Sequence, residues 1–330
     1  SLETDYYMSI DSTGVGSGDT GFENCLFPRV WSVENGLSQE RILMDGAGTP
    51  EGALVAGGQS CSPGNASITT FNDTELWDGQ QFSAGPTLPA STRRHVTLGS
   101  KNHAHVFGGY CPGSSPASAN LQDSIQEYLN GTWSGEIATL SLPRAHGMGA
   151  GAAGGWILWG GHSVGCTNNN YGQNLTDCVE LYNGQTVSAG TNTPTVLGQA
   201  AAVGSQNAAL NVAGLNANNS NSATINPSTD ITCATVKWDG SSWSAGPDSL
   251  KCTFMNTGAG TQNASVFWGG NASPALHFSP SVCNGIFDGA VSSGNAKNAS
   301  NSGYEPTVQE FDGTAFSNAS RLPVQNSIGG

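Results

Sequence analysis

Charged side chains are scarce in this sequence of 330 residues. Lys and Arg together number 10 and Asp and Glu number 24, which leaves a net charge of −14 and an isoelectric point near 4.5. So acidic a chain lacks the basic surface that attracts nucleic acids and anionic membranes. We therefore expect no nucleic-acid partner.

Long apolar runs are missing as well. None approaches the roughly 20 residues of a membrane-spanning helix, so the sequence predicts no membrane span. No secretory leader is visible before Ser1, as expected of a mature, processed chain. None of the common catalytic or cofactor motifs stands out in its required strand-and-helix context. We accordingly assign no catalytic residue, no metal and no cofactor.

The cysteines lack the C-x-x-C spacing of zinc sites. Their even number and their places in loop segments favour disulfides, and with them an oxidising compartment. We predict a bond between Cys61 and Cys111, at equivalent places in adjacent repeats, and another between Cys166 and Cys178 within one loop. The partners of the remaining four stay open: Cys25, Cys233, Cys252 and Cys283.

The sequence also contains nine N-x-S/T sequons, the acceptor pattern for N-linked sugars. They begin at Asn65, Asn72, Asn130, Asn174, Asn218, Asn263, Asn271, Asn298 and Asn318. A chain this rich in Asn, Ser and Thr contains several sequons by chance. The cysteines, however, independently favour an oxidising, extracellular compartment. Together they predict an extracellular, glycosylated and disulfide-bonded protein.

One sequence motif recurs along the chain. It consists of an aromatic residue, a turn that contains Gly, and then a second large residue, aromatic or Val, that is followed by Ser. Trp238-Asp239-Gly240 leading to Trp243-Ser244 is the fullest copy. Two extended segments joined by such a turn indicate a β-hairpin. The five copies start at Trp77, Tyr128, Tyr182, Trp238 and Phe311.

Each hairpin is preceded by a Gly/Ala-rich extended piece and an apolar run that ends in a Gly pair, such as Ile157–Gly161. Every unit therefore offers four short strands. The small residues suit an innermost strand, where the blades of a propeller converge, and the recurring aromatic residues suit packing between blades.

Four strands per repeat, a period near 50, the Gly pair and the Leu-Pro elements at Leu88, Leu142 and Leu322 resemble kelch repeats. The order of residues within each repeat is similar to that of kelch-like repeats in secreted surface proteins. The resemblance implies an all-β, kelch-like β-propeller. It says little about activity, because kelch propellers include both enzymes and binding modules.

Five repeats can be recognised in the sequence. Because the last blade of a propeller must meet the first, the two ends of the chain decide the number of blades. We favour six blades: five full repeats plus one built from both termini, with Tyr6–Ile10, Val30–Gly36 and Leu37–Ile42 as strands. The alternative is five blades with an N-terminal extension. Residues 1–40 then form a segment that closes the ring or is donated to a neighbouring molecule, and residues 41–330 form the propeller.

Galactose-oxidase-like enzymes, built on kelch propellers, suggest a copper-radical site as one alternative. His95 and His146 occupy nearly equivalent positions, His103 and His105 lie nearby, and Tyr110-Cys111 and Tyr171 supply partners. No Tyr-Thr-His ligand pattern accompanies them. An extracellular carbohydrate-active enzyme is the other form of this alternative.

A binding role needs less than a catalytic one. Loop side chains that stack on and hydrogen-bond to sugars would be Asn169, Tyr171, His277 and Phe278. Low charge, disulfides and dense sequons fit a non-enzymatic structural or binding component of an extracellular surface or filament. Its partners would be further copies of itself, other extracellular proteins or glycans.

Overall fold

The computed structural model describes residues 34–60, 69–110, 121–163, 175–216, 230–270 and 308–320. These residues form 22 strands, of which two make a small separate pair and the others make five four-stranded antiparallel sheets. The described part of the chain contains no helix, and therefore none long and apolar enough to cross a membrane.

Each sheet is a meander whose strands pair in chain order, and we number the five sheets as blades 1 to 5. Blade 1 comprises β1 (Asp45–Thr49), β2 (Gly52–Ala56), β3 (Thr74–Trp77) and β4 (Phe82–Ala84). Blade 2 comprises β5 (Val96–Ser100), β6 (His103–Phe107), β7 (Ser124–Leu129) and β8 (Thr132–Thr139). Blade 3 comprises β10 (Met148–Ala152), β11 (Gly155–Trp159), β13 (Val179–Tyr182) and β14 (Val187–Ala189).

Blade 4 comprises β15 (Ala201–Ser205), β16 (Ala208–Leu215), β17 (Ile231–Trp238) and β18 (Trp243–Ala245). Blade 5 comprises β19 (Thr257–Thr261), β20 (Ala264–Trp268), β21 (Val308–Phe311) and β22 (Phe316–Asn318). The separate pair is β9 (Arg144–Ala145) with β12 (His162–Ser163), and it lies at the entry to blade 3.

The first strand of every blade is the innermost, and successive first strands pack side by side around a common axis. Crowding at this axis requires small residues. At Gly149 of β10, for example, an added Cβ would lie 3.0 Å from Cδ1 of Leu98 and 3.1 Å from Cγ1 of Val96, both on the neighbouring inner strand β5. The Gly/Ala-rich pieces seen in the sequence are therefore the inner strands, as predicted.

The hydrophobic core lies between blades. In one cluster, Phe107 and Ile125 of blade 2 pack against Trp156 and Tyr182 of blade 3. The five aromatic residues that start the hairpins are all buried, with exposed fractions of 1–7%. Their repetition along the chain thus reflects the repeated blade interface rather than a binding stripe.

The β-propeller and its five complete repeats are confirmed, in agreement with the five-blade alternative. The sixth blade is not confirmed, because most of its predicted strands fall in residues 1–33 and 321–330, outside the described part. The prediction of a strand at Leu37–Ile42 is wrong. These residues form no strand but contact blade 1. Ile42 forms a single β-bridge to Gln59, and Ser38 donates its backbone N–H to Glu75.

Buried ion pairs connect two of the blades to the chain segments that precede their inner strands. Arg41 contacts Glu75 at 2.7 Å in blade 1, and Arg144 contacts Glu180 at 2.5 Å in blade 3. Both arginines also donate to a carbonyl of the Gly pair of the same blade. Because the second carboxylate oxygen of each Glu accepts a backbone N–H, both oxygens of each buried carboxylate are satisfied, whereas the Nε of each arginine has no hydrogen bond.

Candidate functional site

A cavity of about 510 Å³ runs along the axis and is lined by the inner strands of all five blades. Its lining is mostly backbone and small side chains. The larger polar groups are contributed by residues at or just before the starts of the inner strands. This end of the cavity, which we call the axial mouth, is the first candidate site.

The axial mouth is framed by one equivalent residue from each blade: Leu43, Arg94, His146, Gln199 and Met255. All five have left-handed backbone conformations, with φ between +54° and +58°. Residues other than Gly rarely adopt this conformation, so its fivefold repetition must be enforced by the surrounding structure.

Backbone hydrogen bonds between blades hold these residues in the left-handed conformation. The N–H of Arg94 donates to the carbonyl of Leu43 at 2.8 Å, and the N–H of His146 donates to Arg94 at 2.8 Å. Gln199 continues the series to His146 at 3.4 Å, and Met255 to Gln199 at 2.7 Å. We call this series of five residues the axial belt.

Three of the five belt side chains are polar, and several of their buried atoms lack a hydrogen bond. The Nε2 of Gln199 lies 3.1 Å from the Nε2 of His162, while its Oε1 has no partner. The Nε2 of His146 also has none. The Arg94 guanidinium lies 5.6 Å from the Tyr110 ring centroid. Such unsatisfied buried atoms around a cavity can hydrogen-bond to a polar ligand.

Burial and positive neighbours keep His146 neutral. Desolvation lowers its pKa well below the usual range, and the nearby charges of Arg94, His162 and Arg93 lower it further. A neutral imidazole at pH 7 can accept or donate a hydrogen bond, but it offers no positive charge. Arg94 is therefore the one belt residue that is charged at neutral pH.

Asp45 lies at the start of β1 in the same cavity. Burial raises its pKa to about 7, although N–H bonds from Thr97 and Gly46 oppose the shift. Both carboxyl oxygens are occupied by these bonds. Among the described residues that line the cavity, Asp45 is the only acid.

A second candidate site lies between blades 2 and 3. The Nε2 atoms of His103 and His105 lie 2.8 Å and 3.5 Å from Oε1 of Glu127, which stands opposite His105 on the neighbouring strand. The ligand-type atoms of these three residues lie within 4.8 Å of one another. Among the described residues, this is the only group of three or more that has the spacing of a metal site.

The tautomer of His105 argues against metal binding there. Trp156, whose indole nitrogen can only donate, places Nε1 at 3.2 Å from Nδ1 of His105. Nδ1 must therefore accept, and burial lowers the pKa of His105 so that the ring stays neutral. The remaining proton sits on Nε2, directed at Glu127. An imidazole nitrogen that bears a proton cannot ligate a metal.

Within the described part of the chain, the histidines of the copper site considered above do not come together as one group. Among the described residues, His95 and His146 belong to no group of three potential ligands. His95 is only 6% exposed, and burial lowers its pKa to about 4. Tyr110 is described, but Cys111 and Tyr171 lie outside the described residues.

Two functional features were missed in the sequence. The belt residues Arg94 and Gln199 carry no motif, although a constant spacing from the preceding outer strand could have located them. Residues 161–165 also match G-x-S-x-G. Ser163, however, lies buried in β12 and pairs with Arg144, so it is not displayed on an exposed turn as a nucleophile requires.

The predicted modification sites are only partly described. Asn130, Asn263 and Asn318 are exposed, whereas Asn72 is half-buried and donates its side-chain amide to the Leu88 carbonyl. The other sequons lie outside the described residues, as do the loop residues Asn169, Tyr171, His277 and Phe278.

Cys233 and Cys252 form a disulfide that joins β17 to the segment entering blade 5. Cys178 is a free thiol among the described residues, and its predicted partner Cys166 lies outside them. Cys25, Cys61, Cys111 and Cys283 also lie outside, so the pairing of Cys61 with Cys111 stays a prediction.

Five blades around an axial cavity define the class of this protein as a β-propeller. The chain is similar to a solved propeller titled "Structure of YjhT", with a TM-score of 0.63 and 12% identity, over 88% of this chain and 87% of that one. So low an identity supports the fold alone. No family model matches the chain. No curated protein matches it either.

The tautomer argument can be tested with Trp156→Phe. Phe keeps the ring stack on Tyr182 but removes the N–H, so the proton of His105 can move to Nδ1 and release Nε2 for a metal. We expect Zn²⁺ to raise the thermal unfolding midpoint of this variant and not of the wild type. Binding at 100 times Kd would contribute about 2.7 kcal/mol. The double variant Trp156→Phe/Glu127→Gln should lose the response. A wild-type midpoint that rises equally with Zn²⁺ would contradict the assignment.

Stability should fall as the pH drops from 6.5 to 4.5. The pKa values of His95, His105 and His146 are lowered by burial, so below pH 6.5 protons bind the unfolded chain in preference to the fold. His95 alone would cost about 3 kcal/mol near its folded pKa. Asp45 acts in the opposite direction, because its raised pKa favours the fold until the pH rises through about 7.

Guanidinium denaturation at the two pH values measures this effect. His95→Gln should flatten the dependence, and Asp45→Asn should steepen it. An equal pH dependence of the wild type and His95→Gln would show that this histidine is not buried as described.

Proposed function

We propose that this protein is a secreted, glycosylated β-propeller that serves as a non-enzymatic structural or binding component of an extracellular surface or filament. The observation that carries the binding role is the axial mouth. There, Gln199 and His146 present buried hydrogen-bonding atoms without partners beside the charged Arg94. The hydroxyl groups of a sugar would satisfy the two unpartnered atoms, and a negative charge on the same ligand, as at an acidic glycan end, would be attracted to Arg94.

The extracellular setting is supported by covalent chemistry. A disulfide between Cys233 and Cys252 persists in oxidising compartments and is rare in the cytosol. Three of the four described sequons have exposed asparagines on hairpin turns or an outer strand: Asn130, Asn263 and Asn318. None of these three residues lines the axial cavity, so sugars there would leave the axial mouth accessible.

Asp45 favours the alternative, an extracellular carbohydrate-active enzyme. A carboxyl group with a pKa of about 7 has the proton affinity of a general acid or base at neutral pH. Glycoside hydrolysis, however, commonly uses a pair of carboxyl groups, and the described cavity lining contains no second one. Both Asp45 oxygens are moreover engaged by backbone N–H groups. We therefore rank binding first and catalysis, copper-radical oxidation included, second.

Glycosylation can be tested on two matched sequons. Asn130 is exposed in a turn with φ +46°, whereas the Asn72 side chain donates its amide to the Leu88 carbonyl. In protein secreted from eukaryotic cells, we expect Asn130→Gln to remove the mass of one glycan. Asn72→Gln should leave the intact mass almost unchanged. A chain that carries no sugar at all would contradict the glycoprotein assignment.

Binding at the axial mouth can be tested on an array of neutral and acidic oligosaccharides. We expect an acidic glycan to bind the wild type, and Arg94→Gln or Gln199→Leu to weaken its binding at least tenfold. Gln81→Leu, an exposed position between β3 and β4, is the matched control and should bind normally. Turnover of a bound sugar, abolished by Asp45→Asn, would favour the enzymatic alternative instead.

A further inference from the structure

Four of the five hairpins that connect the third and fourth strands of a blade contain the same turn. In each, a side-chain oxygen of the residue before the glycine accepts the backbone N–H groups of the residues two and three positions later. Blades 1, 4 and 5 have an acid at this place, and blade 3 has an amide: Asp78, Asp239, Asp312 and Asn183. The amide of blade 3 can therefore be compared with three carboxylates that are held in the same way.

Asn183 is followed by Gly184, and an asparagine in this dipeptide is prone to react with its own backbone. The nitrogen of Gly184 can attack Cγ of Asn183, because glycine has no side chain to shield it. The N–H of Gly184 has no hydrogen bond within the described part of the chain, and both residues are exposed. The attacking nitrogen is therefore free, and water can take up its proton.

Three donors directed at Oδ1 of Asn183 favour this attack. The backbone nitrogens of Gln185 and Thr186 lie 3.0 Å and 2.9 Å from Oδ1, and Oγ1 of Thr186 lies 3.4 Å from it. Negative charge develops on this oxygen when a nucleophile adds to Cγ. Donors that already point at the oxygen stabilise that charge without rearrangement, as an oxyanion hole does for a substrate.

The equivalent acids indicate that this donor set stabilises negative charge. The N–H groups of Ser242 and Ser241, together with their hydroxyls, lower the pKa of Asp239 to about 2. Equivalent N–H and hydroxyl donors lower the pKa of Asp312 to about 2, and the two N–H donors at Asp78 lower its pKa as well. The three acids also show that a carboxylate at position 183 would fit its turn without rearrangement.

We propose that Asn183 is a deamidation site that is activated by its own turn. The Gly184 nitrogen bonds to Cγ, its proton passes through water to the departing amide, and ammonia leaves a five-membered cyclic imide. Water then breaks the bond between Cγ and the Gly184 nitrogen, which yields an aspartate. One asparagine and one water thus become one aspartate and one ammonium ion, and no oxidant is required. This inference does not rest on the proposed function.

The turn also determines the product. Opening of the imide at the main-chain carbonyl would insert a methylene group into the backbone. Gly184 has no room for such a change, because even an added Cβ would lie 3.1 Å from the carbonyl oxygen of Gly154. We therefore expect aspartate rather than isoaspartate. The product is stable against a second attack, because a carboxyl group must be protonated before it can lose water and the donors keep it ionised.

The described residues contain two further Asn-Gly pairs, which begin at Asn35 and Asn130. Both asparagines are exposed, and within the described part of the chain no hydrogen-bond donor contacts Oδ1 of either one. They are therefore internal controls with the same dipeptide but without the donors. Asn130 also begins a sequon, whereas Asn183 does not, so a sugar can protect Asn130 only.

The test uses the full chain produced in a bacterial periplasm, where disulfides form and these sequons stay free of sugar. The folded protein is incubated at mildly alkaline pH in heavy-oxygen water, and peptide mass spectrometry follows each asparagine. We expect Asn183 to deamidate at least tenfold faster than Asn35 and Asn130. After reduction and unfolding in urea, the three rates should become similar, because the donors no longer face Oδ1.

Asp78→Asn is the matched variant. It places an asparagine before Gly79 under two backbone N–H groups at 2.9 Å, and it creates no sequon because Gln80 follows. We expect the folded variant to return to aspartate at least threefold faster than Asn35 deamidates. Thr186→Val removes the hydroxyl donor, keeps the N–H donors and should slow Asn183 about twofold.

Deamidation of Asn183 that is no faster than that of Asn35 and Asn130 in the folded wild type would overturn the proposal. This result does not depend on whether either variant folds. An advantage of Asn183 that persists after unfolding would overturn it as well, because the turn would then not be the cause. A folded Asp78→Asn chain that keeps its amide as long as Asn35 does would also contradict the role of the donors.

Discussion

No blade of this protein can bury its own apolar surface. Each blade is a single four-stranded sheet with two faces, and both carry large side chains, as Trp156 and Trp159 on opposite faces of β11 illustrate. Each face becomes buried only against another blade. The stability of every unit is therefore shared with its neighbours, and the glycine-rich inner strands are the condition for bringing those neighbours close enough.

The axial belt converts this packing into a defined geometry. Hydrophobic contact alone would tolerate sliding between blades, whereas each belt bond fixes the height of one blade relative to the next. The left-handed conformation is the local cost of directing the N–H and C=O of one residue to opposite neighbours. It also explains why polar groups lie at the mouth of the cavity: the ring dictates their backbone position, and their side chains line the cavity.

Sequence patterns located the blades but not the mouth. The hairpins, Gly pairs and small-residue strands are local signals, and all of them reappear in the structure at the predicted places. The belt is not local, because nothing in the residue types of Arg94, Gln199 or Met255 favours positive φ. The Leu-Pro elements gave a wrong alignment of two repeats. Leu88 and Leu140 are both buried in core clusters, so Leu140, and not Leu142, is the structural equivalent of Leu88. The neighbours of His105 could not be predicted either, since Trp156 reaches it from another blade.

The disulfide between Cys233 and Cys252 has a mechanical consequence. It spans a sequence separation of 19 residues and encloses β18, the outer strand of blade 4, within a covalent loop. A pulling force along the chain would pass through the sulfur atoms and bypass this loop. The outer strands of the other described blades have no such bond among the described residues and would peel away under load. Blade 4 would therefore keep its outermost edge when tension disrupts the ring, and the extensible length of the chain would be shorter by that loop.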